Sequence, residues 1–122
     1  MDILGITLSI IGFSIRAVAY IHLNGNFSWT VSKPKCLIDT GIYKHIRHPM
    51  YLGAIILYPG LVLWSTGNLF LSFIICSMVI SFAMDRIQRE DFLLFNSFGD
   101  KFLEYEENTP MLIPSLFFKK QR

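Results

Sequence analysis

Apolar residues fall into three long stretches separated by polar ones. From His48 to Met84 the chain carries no Asp, Glu, Lys or Arg, a run of 37 residues. A helix crosses the hydrocarbon core of a bilayer with about 20 residues, so this run is long enough for two spans. Ser65-Thr66-Gly67-Asn68 supplies the turn between them. The pattern predicts one helix over 49–64 and a second over 69–90. The first is short and contains Pro59-Gly60, which predicts a kink or tilt. The second meets no breaker until Gly99, and its part from Asp85 to Phe98 is amphipathic and expected to emerge into water. A third apolar segment, residues 3–23, is interrupted by Arg16 and His22. A secretory signal is disfavoured there: Asp2 replaces a basic leader, Arg16 breaks the run, and no small-x-small site follows.

Composition agrees with this pattern. Hydrophobic residues make up 52% of the 122-residue chain and charged residues 16%, against a usual ~25%. So small a soluble domain could not hide that much apolar surface. A net charge of +2 gives no reason to expect a nucleic-acid partner. The basic residues are segregated. Lys33, Lys35, Lys44 and Arg47 precede the second span, and Arg86, Arg89, Lys101, Lys119, Lys120 and Arg122 follow the third, while the Ser65–Asn68 turn has none. The positive-inside rule puts the basic loop and tail on the cytoplasmic face and the N-terminus outside. The expected protein is all-α and integral to the membrane: one domain, 1–122, with transmembrane helices at 3–23, 49–64 and 69–90. A cytoplasmic loop covers 24–48 and a cytoplasmic helical tail covers 91–122. The two polar segments then share one face, where a site built from both would lie.

Four features carry candidate chemistry. Gly41 to Gly53 crowds Tyr43, His45, Arg47, His48 and Tyr51 at the start of a span. Pro49 suits the first turn of a helix, His48 sits where its cap would be, and the free N–H groups of such a start can hold an anion. Gly53 leaves room for a ligand or another helix. Interfacial anchoring explains the same residues equally well. Second, Arg86 and Glu90 are four apart on one helical face, as are Asp85 and Arg89; a solvated helix end with surface ion pairs is the plain alternative. Third, Arg16 lies within a span, where a charge costs a few kcal/mol. It is expected either to snorkel or to pair with an acid such as Asp85 or Glu90, or with a ligand carboxylate. Last, Phe98-Gly99 and the spaced aromatics Phe102 and Tyr105 predict a helix end and a short amphipathic helix, with Glu104, Glu106 and Glu107 on its wet face. Cys36 and Cys76 form no CxxC pair. His45 and His48 bring no third ligand, so no metal is expected. No GxGxxG or phosphate loop is present.

Taken together, the segments resemble a known family. Tyr43, Arg47-His48-Pro49-x-Tyr51-x-Gly53, Arg86-x-x-x-Glu90-Asp91, Leu94, Phe98-Gly99, Phe102, Tyr105 and Ile113-Pro114 are similar to the isoprenylcysteine carboxyl methyltransferases. These belong to a wider set of integral-membrane methyltransferases that use S-adenosylmethionine and include phospholipid methyltransferases. The likeness covers roughly residues 10 to 116. It implies that Lys35, Cys36, Leu37, Ile38, Tyr43, His48, Pro49, Met50, Tyr51 and Glu90 hold the cofactor, and that Arg86 binds the methyl acceptor, with Arg86 and Glu90 catalytic. The chain departs from the family at Asp91, where a second Glu is usual, at Phe102, where Tyr is usual, and at Lys35, where His is frequent. Many relatives also have further N-terminal spans that contribute to the lipid entrance, which puts substrate identity in doubt.

The implied reaction is methyl transfer to a lipophilic acceptor, a lipid or a lipidated small molecule or protein, at the membrane interface. A carboxylate acceptor is already ionised at pH 7 and needs no base, and the planar fork of Arg86 suits it. An amine or thiol must lose a proton, for which His48 or Glu90 would have to serve. A phospholipid N-methyltransferase and a small-thiol methyltransferase therefore remain as alternatives. A membrane reductase using NADPH shares the RHPxY element, and a non-catalytic membrane module stays open too. The sequence sets no oligomeric state.

Overall fold

A computed structural model describes residues 3–23 and 40–112. Its elements are helices α1 (Ile3–Leu23), α2 (Pro49–Thr66), α3 (Leu69–Phe98) and α4 (Asp100–Asn108), with a 3-10 turn at Gly41–Lys44 before α2. No strand occurs among the described residues. Three of the helices, over Ile3–His22, Pro49–Thr66 and Leu69–Phe98, are long and apolar enough to cross a membrane. At ~1.5 Å per residue α1 and α2 measure about 31 and 27 Å, close to a ~30 Å hydrocarbon core. α3, with 30 residues, measures about 45 Å and overshoots the core by roughly ten residues. The overshoot holds the later part of the charged stretch, from about Arg89 onward.

The burial pattern is that of a protein solvated by lipid. Ile10, Phe13 and Ile21 on α1 and Phe70, Phe73, Met78 and Phe82 on α3 are all exposed. Two buried serines within the spans are satisfied internally, as hydrocarbon demands. Ser9 Oγ donates to Gly5 O at 2.8 Å and Ser72 Oγ donates across to Pro59 O at 2.9 Å.

α1 and α2 run antiparallel along a seam of glycines spaced seven apart. A Cβ on Gly5 would meet the Trp64 backbone, and one on Gly12 would lie 2.5 Å from Leu57 N. From the other side, a Cβ on Gly60 would come 2.8 Å from Leu8 Cβ, and one on Gly53 would come 2.5 Å from Arg16 Cγ and 2.9 Å from Gly12 O. With no water to expel in lipid, helices gain by backbone approach, which small residues allow. The space at Gly53 is thus filled by another helix.

α2 passes through Pro59 without a break and ends at Gly67, whose φ of 68° is left-handed. Asn68 then caps α3 by accepting from Leu71 N at 3.1 Å. α3 is continuous to Phe98, and Gly99 with φ 56° closes it, at the breaker the sequence offered. α4 packs back on the bundle through the buried Phe102 and Tyr105. The C-terminal end of α1, the start of α2 and the second half of α3 therefore meet at one end of the bundle.

Candidate functional site

The start of α2 brings His48, Tyr51 and Arg47 against the charged half of α3. His48 occupies the N-cap of α2 and Pro49 the first turn, but the His48 ring makes no capping bond. It turns to α3 instead: Nε2 lies 2.8 Å from Asp91 Oδ1, and Nδ1 lies 3.8 Å from Glu90 Oε1. Arg47 Nη1 donates to the other Asp91 oxygen at 2.9 Å. One turn into α2, the Tyr51 hydroxyl donates to Glu90 Oε2. The same oxygen faces Arg86 Nη2 at 3.8 Å. The Arg86 guanidinium carbon also sits 5.6 Å over the Phe82 ring, a cation–π arrangement.

The two i,i+4 pairs on α3 have different settings. Arg89 Nε and Asp85 lie 3.3 Å apart, with both side chains more than half exposed, which makes them a surface pair of little energetic weight. Arg86 and Glu90 are 20% and 31% exposed and share Tyr51, so they belong to a packed, partly dry cluster.

Three elements hold this cluster from behind. The segment after α4 lies along Arg47 and His48: Arg47 N donates to Pro110 O at 2.9 Å, His48 N to Met111 O at 3.0 Å, and Arg47 Nε to Thr109 O at 3.0 Å. Glu106 Oε2 adds a longer contact to Arg47 at 3.7 Å, so Glu106 does more than wet the helix. The Tyr105 hydroxyl donates to the Tyr43 carbonyl at 2.6 Å. Tyr43 is buried, and burial pushes its hydroxyl well above the ordinary tyrosine range, with Tyr105, Glu90 and Tyr51 acting in the same direction. On the α1 side, Arg16 Nη1 donates to Met50 O at 3.0 Å. The expected pairing of Arg16 with Asp85 or Glu90 is not the one formed: the guanidinium bonds a carbonyl in the first turn of α2, and Gly53 accommodates its stem.

Of the residues expected at the site, Tyr43, His48, Pro49, Met50, Tyr51, Arg86 and Glu90 are gathered at this end of the bundle. Lys35, Cys36, Leu37 and Ile38, and the closing Ile113-Pro114, lie outside the described residues. The sequence offers Arg47 and Asp91 only as motif residues, without a role, and does not anticipate the carbonyls of Thr109 to Met111. The position of Asp91, where the resembling family has a second Glu, is the signal that pointed to it. A surface depression of about 360 Å³ between the 3-10 turn and α4, lined in part by Lys44, Lys101 and Glu104, touches none of the α3 groups. Among the described residues no cluster of three or more metal-ligating side chains occurs.

Apolar helices long enough to cross a bilayer, with a polar, hydrogen-bonded cluster at one end of the bundle, define an integral-membrane protein. The model for the phospholipid methyltransferase family matches residues 1–101, and the chain belongs to that family. It is also similar to curated relatives named protein-S-isoprenylcysteine O-methyltransferase. That of Schizosaccharomyces pombe is 33% identical over 109 residues, 85% of this chain and 45% of the relative. That of Saccharomyces cerevisiae is 31% identical over 122 residues, 92% and 48%. The human protein is 28% identical over 127 residues, 93% and 41%. The chain thus spans less than half the length of these relatives.

Proposed function

We propose that the chain transfers a methyl group from S-adenosylmethionine to a carboxylate on a lipophilic acceptor of the isoprenylcysteine type. The observation that carries this reading is the cluster of Arg86, Glu90 and Tyr51 at the end of the apolar spans. S-Adenosylmethionine presents cationic groups, a carboxylate and an aromatic base. The donor set fits it: Glu90 for a cation, Tyr43 and Tyr51 as aromatic surfaces, and backbone groups around His48, Pro49 and Met50. Lys35, Cys36, Leu37 and Ile38 complete the proposed binding set. When bound, the cofactor supplies an electrophilic methyl group.

The chain's own residues account for the rest. Arg86 binds and orients the acceptor carboxylate in its planar fork. Tyr51 holds Glu90 in place through its hydroxyl. Positioning of this kind supplies much of the rate of a displacement reaction. The surrounding spans keep water from the reacting groups. No proton need be removed from a carboxylate at pH 7. That agrees with the engagement of both candidate bases, His48 by Asp91 and Glu90 by Tyr51. The basic residues flanking the spans support a site on the cytoplasmic face with the N-terminus outside.

A second reading, methylation of a phospholipid amine, is favoured by the description of the matching family. A radiolabelled-methyl assay separates the two, with the protein in bilayers and a panel of prenylcysteine, aminophospholipid and thiol acceptors. Label is expected on the prenylcysteine as a base-labile ester. Label on the aminophospholipid alone would overturn the carboxylate reading.

A further inference from the structure

We propose that His22 is a positioning residue for the cofactor side of the site, acting through the 3-10 turn that carries Tyr43. The proposal rests on the methyltransferase reading above. His22 lies in the last turn of α1, and its Nδ1 accepts the backbone N–H of Ile42 at 2.9 Å. An accepting Nδ1 has no proton, so the bond assigns the ring proton to Nε2.

A second feature points to the same contact. Gly41 holds a left-handed φ of 63°, and a Cβ added there would run into the His22 ring. The turn therefore lacks a side chain at the one place where the imidazole lies, and it offers that imidazole an amide at the next residue. On its opposite side the turn is held by Tyr105, whose hydroxyl donates to the Tyr43 carbonyl. The 3-10 turn is clamped between α1 and α4, with the buried Tyr43 at its centre.

The bond also brings position 22 to position 42 and so ties together the two ends of the intervening chain. Tyr43, buried at the centre of the turn, belongs to the proposed cofactor set. Loss of the bond should therefore weaken the cofactor and leave the acceptor, handled by Arg86 on α3, largely unaffected.

The test uses the full chain in detergent or bilayers and S-adenosylhomocysteine as the probe. His22→Leu fills the space without offering an acceptor, whereas the amide oxygen of His22→Asn can stand in for Nδ1. A lost hydrogen bond of ordinary strength predicts about 5-fold weaker binding in His22→Leu. His22→Asn should recover most of that loss, and the acceptor KM at saturating cofactor should not move. Deuterium exchange at the Ile42 amide should be faster in His22→Leu and slowed again in His22→Asn. Gly41→Ala, which pushes on the ring from the turn, should weaken the probe as well. Wild-type affinity in His22→Leu, unchanged Ile42 exchange, or equal losses in the Leu and Asn variants would overturn the proposal. A wild-type chain that binds no S-adenosylhomocysteine would overturn the methyltransferase reading, and this proposal with it.

Discussion

The Tyr51 hydroxyl donates to the Glu90 carboxylate, so the first turn of α2 is fastened to α3 through the acid that Arg86 also faces. Tyr51→Phe keeps the ring and removes only this bond. Cofactor affinity should fall about 3- to 10-fold, the range of a single hydrogen bond of ordinary strength. Calorimetry with S-adenosylhomocysteine measures it. A Phe variant that binds as tightly as wild type would show that the bond plays no part in holding the acid for its ligand.

Arg86 and Glu90 should separate in a binding experiment even though both are needed for turnover. Each Ala variant is expected to abolish methyl transfer. Glu90→Ala should also lose affinity for S-adenosylhomocysteine, while Arg86→Ala should mostly keep it and lose the acceptor. Equal cofactor affinity in wild type and Glu90→Ala would remove Glu90 from the binding set.

The acids at 85 and 91 should differ sharply in stability. Asp91 accepts from Arg47, whose side chain is only 8% exposed, and lies against His48. Its removal leaves a buried guanidinium short of a counter-ion, which costs on the order of 3 kcal/mol. Asp85 pairs with Arg89 in the open, and its removal should cost within about 0.5 kcal/mol. Thermal unfolding of Asp91→Ala and Asp85→Ala in detergent makes the comparison. Similar midpoints for the two would contradict the assignment of Asp91 to the packed cluster.

Two glycines should fail for different reasons. Gly53→Ala drives a Cβ into Arg16 Cγ and the Gly12 carbonyl. The backbone oxygen cannot step aside, so the α1–α2 seam should open at a cost of about 1–3 kcal/mol. Gly99→Ala meets nothing within 4 Å and is disfavoured only by its φ of 56°, at about 1–2 kcal/mol. Gly12 lies across the seam and has no contact with Gly99. Combining Gly53→Ala with a change at Gly12 should therefore be non-additive in unfolding midpoint, and combining Gly99→Ala with it should be additive.

The spans were readable because hydrocarbon imposes a simple rule on composition and length, and the stretch from His48 to Met84 obeys it. Arg86 and Glu90 were readable because helical spacing puts them on one face. Asp91 with Arg47, and His22 with Ile42, join positions 44 and 20 apart, and no local period records such pairings. Arg16 was expected either to snorkel or to pair with an acid or a ligand carboxylate. A backbone carbonyl at the start of α2 answered instead, because Gly53 lets the two helices approach closely. The seven-residue spacing of Gly5 and Gly12, matched by Gly53 and Gly60, was the overlooked sign of that approach.

The backbone bonds from Arg47 and His48 to Pro110 and Met111 have a consequence for biogenesis. All three spans have been synthesised once the ribosome passes Phe98, yet the carbonyls that back the site arrive only with Thr109 to Met111. At roughly 5–20 residues per second the interval is on the order of a second. During that interval the start of α2 is already in the bilayer with two backbone amides awaiting their partners. Insertion of the spans and completion of the site are thus separate steps, and the second waits for Thr109 to Met111.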